Sequence, residues 1–430
     1  MKRTTAFGVL FGLLLGAGPS QAEIGGLDDV PAATLLLPYF EVELDNSNGL
    51  TTLFAVTNAR EEATVANVTL WTDLGIPTLS FNIYLTGYDI QTVNLRDIFS
   101  TGTVVRTASA GQDPGGTISP QGPFSLDADF DGCDGVLPMP ALPPAVLQHV
   151  RAAHTGQPSA SIQGRCAGFD HEDNVARGYL TIDQVKSCTF DTPGDEGYFG
   201  PNGVGYDNVL VGDYFYVDPG ENFAQGETLV HLEADSSLGA SNYTFYRTFS
   251  GGADRREGTG NAFLARFAQG GPFDGGTDFV VWRDSRRVVE PFDCGGVLPA
   301  PFPLFTDQLV GFDEEENIEI PGDVIGDPQP PFPPAFPLSA NRVAPSGDGL
   351  YLSYSFGWLY MNLNTGVEGS PVPFDRISQG FVNVLLKAEG RFSVGFDAYQ
   401  LSNVTVPAEA VTEPIDYPVC DGAPDPPHCP

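Results

Sequence analysis

Lysine is nearly missing from this 430-residue chain: only Lys2, Lys186 and Lys387 occur. With arginine they make 20 basic residues against 55 acidic ones, a formal net charge of −35. Such a surface repels nucleic acid and anionic lipid, because both are recognised by Lys and Arg that displace counterions from phosphate. No nucleic-acid partner is therefore expected, whereas divalent cations are attracted. A lysine-poor, acid-rich exterior suits saline surroundings, and it equally suits a genome that favours arginine codons.

Further absences remove whole classes of chemistry. No apolar run reaches the roughly 20 residues that carry a helix across a bilayer, so no membrane insertion is expected. No C-x-x-C pair suggests zinc or redox work. H-E-x-x-H, G-x-S-x-G, Walker and dinucleotide-binding glycine motifs are all missing, which leaves metalloprotease, serine-hydrolase and nucleotide chemistry without a signature. The histidines are His149, His154, His171, His231 and His428. His149 and His154 lie five apart, off the i, i+4 face that paired ligands need, and no histidine is expected to be catalytic. Glycoside hydrolysis needs two carboxylates at a spacing set in space, and an acid-rich sequence cannot single out such a pair.

What is present begins with Met1-Lys2-Arg3, an apolar run from Ala6 to Leu15, and small residues ending in Ser20-Gln21-Ala22. A basic start, a short apolar core and a small residue before the cut predict a signal peptide over 1–22, with the mature chain starting at Glu23. A secreted or periplasmic protein is expected. The six cysteines, Cys133, Cys166, Cys188, Cys294, Cys420 and Cys429, then read as disulfides, as an even count in an exported chain usually does. Cys420–Cys429 is the expected pair, closing a short Pro-rich segment, and Cys166–Cys188 is a second.

Glycine (51) and proline (37) are abundant while the apolar fraction stays globular, which predicts many short strands joined by turns. Short runs rich in Thr, Val, Ile and aromatics fall at Thr51–Thr57, Ala66–Thr72, Asn82–Leu85, Ile90–Leu95, Gly178–Val185, Asn208–Val217, Thr228–Glu233 and Tyr243–Phe249. They return at Asp278–Trp282, Leu309–Asp313, Leu350–Leu363, Gly380–Lys387 and Arg391–Leu401. Only Pro144–Ala153 reads as a helix, with Pro143-Pro144 at its start and Thr155-Gly156 at its end.

An internal repeat organises these strands. Ala33–Phe40 and Gly49–Val56 match Ala262–Phe267 and Gly275–Trp282 in kind and order. Arg177–Thr181 is aligned with Gln379–Asn383, and Val211–Phe215 with Val394–Ala398. One element breaks the order: Phe130–Pro140, which carries Cys133, matches Phe292–Pro301, which carries Cys294, at a different place in the strand sequence.

The expected fold is all-β, with tandem β-sandwich domains over 23–218 and 261–403. A partly stranded connection over 219–260 and a Pro/Asp-rich tail over 404–430 complete the division. Long insertions are expected at 102–174 and, Pro-rich, at 314–349. The pattern in each half, a strand ending near Asn58 and another over Val65–Trp71, resembles immunoglobulin-like sandwiches in architecture. The Cys…Trp…Cys spacing of antibody domains is missing, and the architecture alone implies no activity.

The sharpest candidate site is Asp127-Ala128-Asp129-Phe130-Asp131-Gly132. Carboxylates at alternate positions followed by glycine form the first half of a calcium loop, so Asp127, Asp129 and Asp131 are the candidate metal ligands. Pro138 stands where a bidentate Glu should close the loop, and an ordinary solvated turn is the competing reading. The acidic Asp313–Asn317 run reads as a solvated strand end. Tyr206, Tyr214, Phe215, Tyr216, Tyr243, Phe245 and Tyr246 could stack on sugars, though most should fill the core, with Tyr214 and Tyr216 on one face and Phe215 on the other.

The expected function is a secreted, non-enzymatic protein that binds or builds extracellular material, with a polysaccharide or a protein as partner and acidic loops stiffened by Ca2+. The alternatives are a polymer hydrolase using carboxylates in the long loops, and a subunit that assembles through sheet edges.

Overall fold

The computed structural model describes residues 30–104, 133, 136–137, 139–238, 244–284, 288–296, 298–299, 304, 308–319, 336–347, 349–364 and 378–403. The expected signal peptide over 1–22, the tail over 404–430 with Cys420 and Cys429, and the Asp127–Asp131 loop lie outside the described residues.

Strands β1 (Thr34–Glu43), β3 (Thr64–Thr72), β4 (Pro77–Leu85), β6 (Val175–Val185) and β9 (Val230–Leu232) form one sheet in the order β4-β3-β6-β1-β9. Strands β2 (Thr51–Asn58), β5 (Ile90–Asn94), β7 (Leu210–Asp218) and β8 (Phe223–Thr228) form a second, β5-β2-β7-β8. Every pairing is antiparallel.

The second half repeats this plan strand for strand. β10 (Gly260–Ala268), β12 (Leu309–Phe312), β13 (Ile318–Glu319), β15 (Phe356–Asn362) and β18 (Tyr399–Asn403) run in the order β13-β12-β15-β10-β18. β11 (Gly276–Arg283), β14 (Ala340–Val343), β16 (Gly380–Ala388) and β17 (Phe392–Asp397) run as β14-β11-β16-β17. A single pair, Gly260 with Gly380, joins the two sheets. Each strand therefore has its counterpart nine positions later, between the counterparts of its own neighbours.

This order corrects part of the sequence alignment. β1/β10 and β2/β11 are true equivalents. Arg177–Thr181 lies in β6 and Gln379–Asn383 spans the start of β16, whose counterpart is β7; Val211–Phe215 and Val394–Ala398 are likewise one strand out of step. Alternating apolar strands of a sandwich look alike, and only pairing distinguishes them. The sandwich architecture is shared with immunoglobulin domains, but the order is not: first and last strands of each half lie side by side here, unlike the ABED and CFG sheets.

Other expectations change too. β8 and β9 fall inside the 219–260 connection yet complete the first sandwich. Tyr243–Phe249 is no strand where described: Thr244 makes an isolated bridge to Glu257, and turns follow over 245–249. The helix read at Pro144 runs to His154 (α2), and a second helix, α1 (Leu95–Thr101), precedes it. Asn94 caps α1 by accepting from the Arg96 N–H at 3.0 Å, and Gly102 ends it at φ 71°, the left-handed cap that glycine adopts without strain.

Among the described residues the bridges are Cys133–Cys188 and Cys166–Cys294, so the expected Cys166–Cys188 pair does not form. The reason is β6, an eleven-residue strand that spans roughly 35 Å and parts the flanks on which these two cysteines sit. Each instead takes one of the two similar Cys loops. Cys166 and Phe292 also exchange backbone hydrogen bonds at 2.9 and 3.0 Å beside their bridge.

The two sandwiches share a core. Along β11, Phe279 and Val281 face their own sandwich, while Val280 and Trp282 turn to the first half, as the period of two requires. Ala340, Phe381 and Leu385 join Val280 and Trp282 in one buried cluster with Leu36, Trp71, Tyr179 and Tyr214. β1, β3 and β6 are buried along nearly their whole length; the second half covers part of the outer face, and the segments carrying Thr189, Tyr198 and Tyr246 cover Asn67 and Asp183.

Candidate functional site

The seam between the sandwiches brings equivalent hairpins together. β8 and β17 both start on phenylalanine and carry glycine three residues on, at Phe223 and Gly226 and at Phe392 and Gly395. They run side by side in the same direction: Asn222 Nδ2 donates to Gly390 O at 3.2 Å, and Ser393 Oγ donates to Ala224 O at 2.8 Å. A Cβ on Gly395 would lie 1.6 Å from Glu227 Oε1 and 2.1 Å from Gln225 Nε2. Only glycine lets the strands approach so closely.

These hairpins frame a cleft of about 400 Å³. Asp218, Glu221, Asn222 and Phe223 line one wall, Ala388, Glu389, Gly390 and Phe392 the other, with Leu50, Gly275, Arg342 and Lys387 at the base. Arg342 donates to Glu41 at 2.5 Å and reaches Asp278 at 2.7 Å; Lys387 Nζ reaches Asp278 at 2.7 Å. Glu41 also receives the Tyr39 hydroxyl at 2.7 Å and Arg177 Nε at 3.3 Å. Burial alone would raise the carboxyl of Glu41, but Arg342 and Arg177 outweigh it and hold it below the usual range. The same contest, won by Arg342 and Lys387, depresses Asp278. The cleft floor is thus a paired network whose cations are already neutralised.

A buried polar cluster lies elsewhere under the seam. Asp183 accepts from Thr34 Oγ1 at 2.5 Å, Tyr198 Oη at 2.5 Å and Tyr246 Oη at 2.7 Å. Arg256 stands 3.4 Å from Asp183 and 3.0 Å from Asp254, and all three are shut off from solvent. This is a structural lock, since no substrate reaches it.

The residues singled out from sequence take various places. Asp313 accepts from the Glu315 and Asn317 N–H groups at 2.9 and 2.8 Å and closes the β12–β13 turn, as a solvated strand end should. His154 is buried between Thr78 Oγ1 at 2.7 Å and Arg177 O at 2.8 Å, and burial pushes it down to about 4. His149 meets Ser159, His171 meets Asp73, and His231 meets Val30 O. Tyr214 and Tyr216 are buried and Phe215 is 44% exposed, the alternation expected. Phe245 and Tyr246 are buried, Tyr206 donates to Ala253 O, and Tyr243 lies outside the described residues. Among the described residues no group of three His, Cys, Asp or Glu could hold a metal ion, and no helix is long and apolar enough to cross a membrane.

Sequence reasoning missed the seam. Its faint signals were Lys387, one of three lysines, and the repeated F-x-x-G of β8 and β17. No protein-family model matches this chain, and neither a curated protein nor a solved structure matches it.

Proposed function

We propose that this is an extracytoplasmic, non-enzymatic double sandwich that binds a polysaccharide strand in the seam cleft. The basic, apolar and small-residue pattern of 1–22 supports export, and the two disulfides fit an oxidising compartment. The observation that carries the reading is the framing of one cleft by the same hairpin from each repeat, each bringing a phenylalanine. The volume is that of a ligand pocket, about 300–1,000 Å³. Phe223 and Phe392, the latter 47% exposed, offer faces for sugar rings. Asp218, Glu221 and Glu389 accept from hydroxyls, while the paired Arg342 and Lys387 donate without adding net positive charge.

A hydrolase working through the long loops would gather carboxylates from 102–174 and 314–349 around the cleft. Among the described residues Arg342 is the one lining group from either insertion. Affinity electrophoresis against neutral and acidic polysaccharides tests the reading: retardation of the wild type, lost in Phe392→Ala, is expected. Release of new reducing ends would favour the hydrolase instead. Val394, Tyr399 and Leu401 are exposed on the edge strands β17 and β18, and this favours assembly as the second reading, to be seen as high-mass species on size exclusion.

A further inference from the structure

Beside the cleft, on the same seam, four oxygen-bearing side chains converge. Gln225 and Glu227 alternate along β8 and so share a face; the register sets them opposite Tyr216 and Tyr214. On the other side Asp397 stands opposite Asn383, again on one face. The carboxylate of Glu227 lies against Gly395, two residues before Asp397. Gln225 Nε2 donates to Glu227 Oε1 at 3.4 Å, and Asn383 Nδ2 donates to Tyr214 Oη at 3.2 Å. Both amides thus turn their nitrogens to known acceptors and leave Gln225 Oε1 and Asn383 Oδ1 with no hydrogen-bond donor. These residues are only 6% and 1% exposed. A buried carbonyl oxygen without a partner is rare and calls for an explanation.

We propose that the seam binds a hard divalent cation, calcium foremost, through the carboxylates of Glu227 and Asp397 and the orphaned amide oxygens of Gln225 and Asn383. Two carboxylates match the charge of a dication. An all-oxygen donor set of acids and amides selects calcium or magnesium over zinc or copper, which prefer nitrogen and sulfur. Water completes the coordination. The ion would tie β8 of one repeat to β17 of the other, so it stiffens the walls of the neighbouring cleft. The site calls on none of Asp127, Asp129 and Asp131 and does not depend on what the cleft binds. Without a cation, burial pushes Glu227 up to about 7 and the nearby charge of Asp397 adds to the rise, as a like charge close to a carboxylate does.

The test is calcium, magnesium and chelator titration of the purified protein, read by thermal unfolding and by tyrosine-sensitised terbium luminescence. Wild type and Asp129→Ala should both gain several degrees at saturating calcium. Glu227→Gln and Asp397→Asn should lose that gain and the luminescence while remaining folded in chelator. A calcium-dependent rise that survives both seam variants would overturn the proposal. So would a wild type that ignores millimolar calcium. Polysaccharide binding at saturating calcium is a separate readout, and its loss or survival bears on the cleft alone.

Discussion

Arg342 and Glu41 stand 301 positions apart and meet at 2.5 Å across the seam. Each belongs to a different sandwich, and each is held by further partners of its own half: Asp278 with Lys387 on one side, Arg177 and the Tyr39 hydroxyl on the other. The pair therefore couples two networks. Replacing Arg342 with Met leaves Glu41 and Asp278 nearly buried without their main cation, and breaking a buried pair costs about 3–5 kcal/mol. Some solvent reaches Arg342, so the lower end is expected. Urea unfolding of the variant checks it.

The same network sets the acid limb of stability. Glu41 and Asp278 have folded values below their ordinary ones, 4.5 and 3.8. Their contribution is present above those values and lost as pH falls through the depressed ones. Unfolding midpoints between pH 5 and pH 2 should drop more steeply in wild type than in Arg342→Met.

Glu227 acts in the opposite sense. Its folded value is raised from 4.5 to about 7, so the stability it contributes is full below about 4.5 and lost as pH rises towards 7. In chelator the wild type should lose stability over that window, and Glu227→Gln should be flatter there. Saturating calcium should abolish the difference in slope.

Beneath the seam, Arg256→Met would strand Asp183 and Asp254 together in a dry interior. A loss of about 3–5 kcal/mol is expected, whereas Tyr246→Phe, which removes one of three hydroxyl donors to Asp183, should cost about 1–3 kcal/mol. Equilibrium unfolding separates the two.

Non-reducing peptide mapping should find Cys133 linked to Cys188 and Cys166 linked to Cys294. The second bridge spans 128 residues and joins the first-half insertion to the second half. Cys294→Ser should cost about 2–5 kcal/mol, measured against wild type under oxidising conditions.

Strands were legible because their signals are local. The apolar alternation at Thr51–Thr57, or Tyr214 and Tyr216 against Phe215, is written in consecutive residues and survives folding. The duplication could be seen where β1 and β10 kept their apolar runs, but it slipped by one strand later, since equivalence there lies in pairing and not in composition. α1 escaped notice because it has seven residues and is held by one Asn cap and three buried apolar side chains. The seam was illegible for a stronger reason: Glu41 with Arg342, or Glu227 with Asp397, become neighbours only after two repeats dock. In an acid-rich chain no single carboxylate announces such a partner.

The shared core makes one further demand, that the two sandwiches unfold as one body. Calorimetry of the intact protein, with tryptophan fluorescence followed in parallel, is the direct measurement. Trp71 stacks on Tyr179 and Trp282 meets the same ring edge-on in the shared core, while Trp358 stacks on Phe312 in the outer sheet. One transition, coincident by both probes and with equal calorimetric and van't Hoff enthalpies, is the expected result. Two separated transitions, with Arg342→Met moving only one of them, would contradict the fused double sandwich and remove the seam as the working part of the molecule.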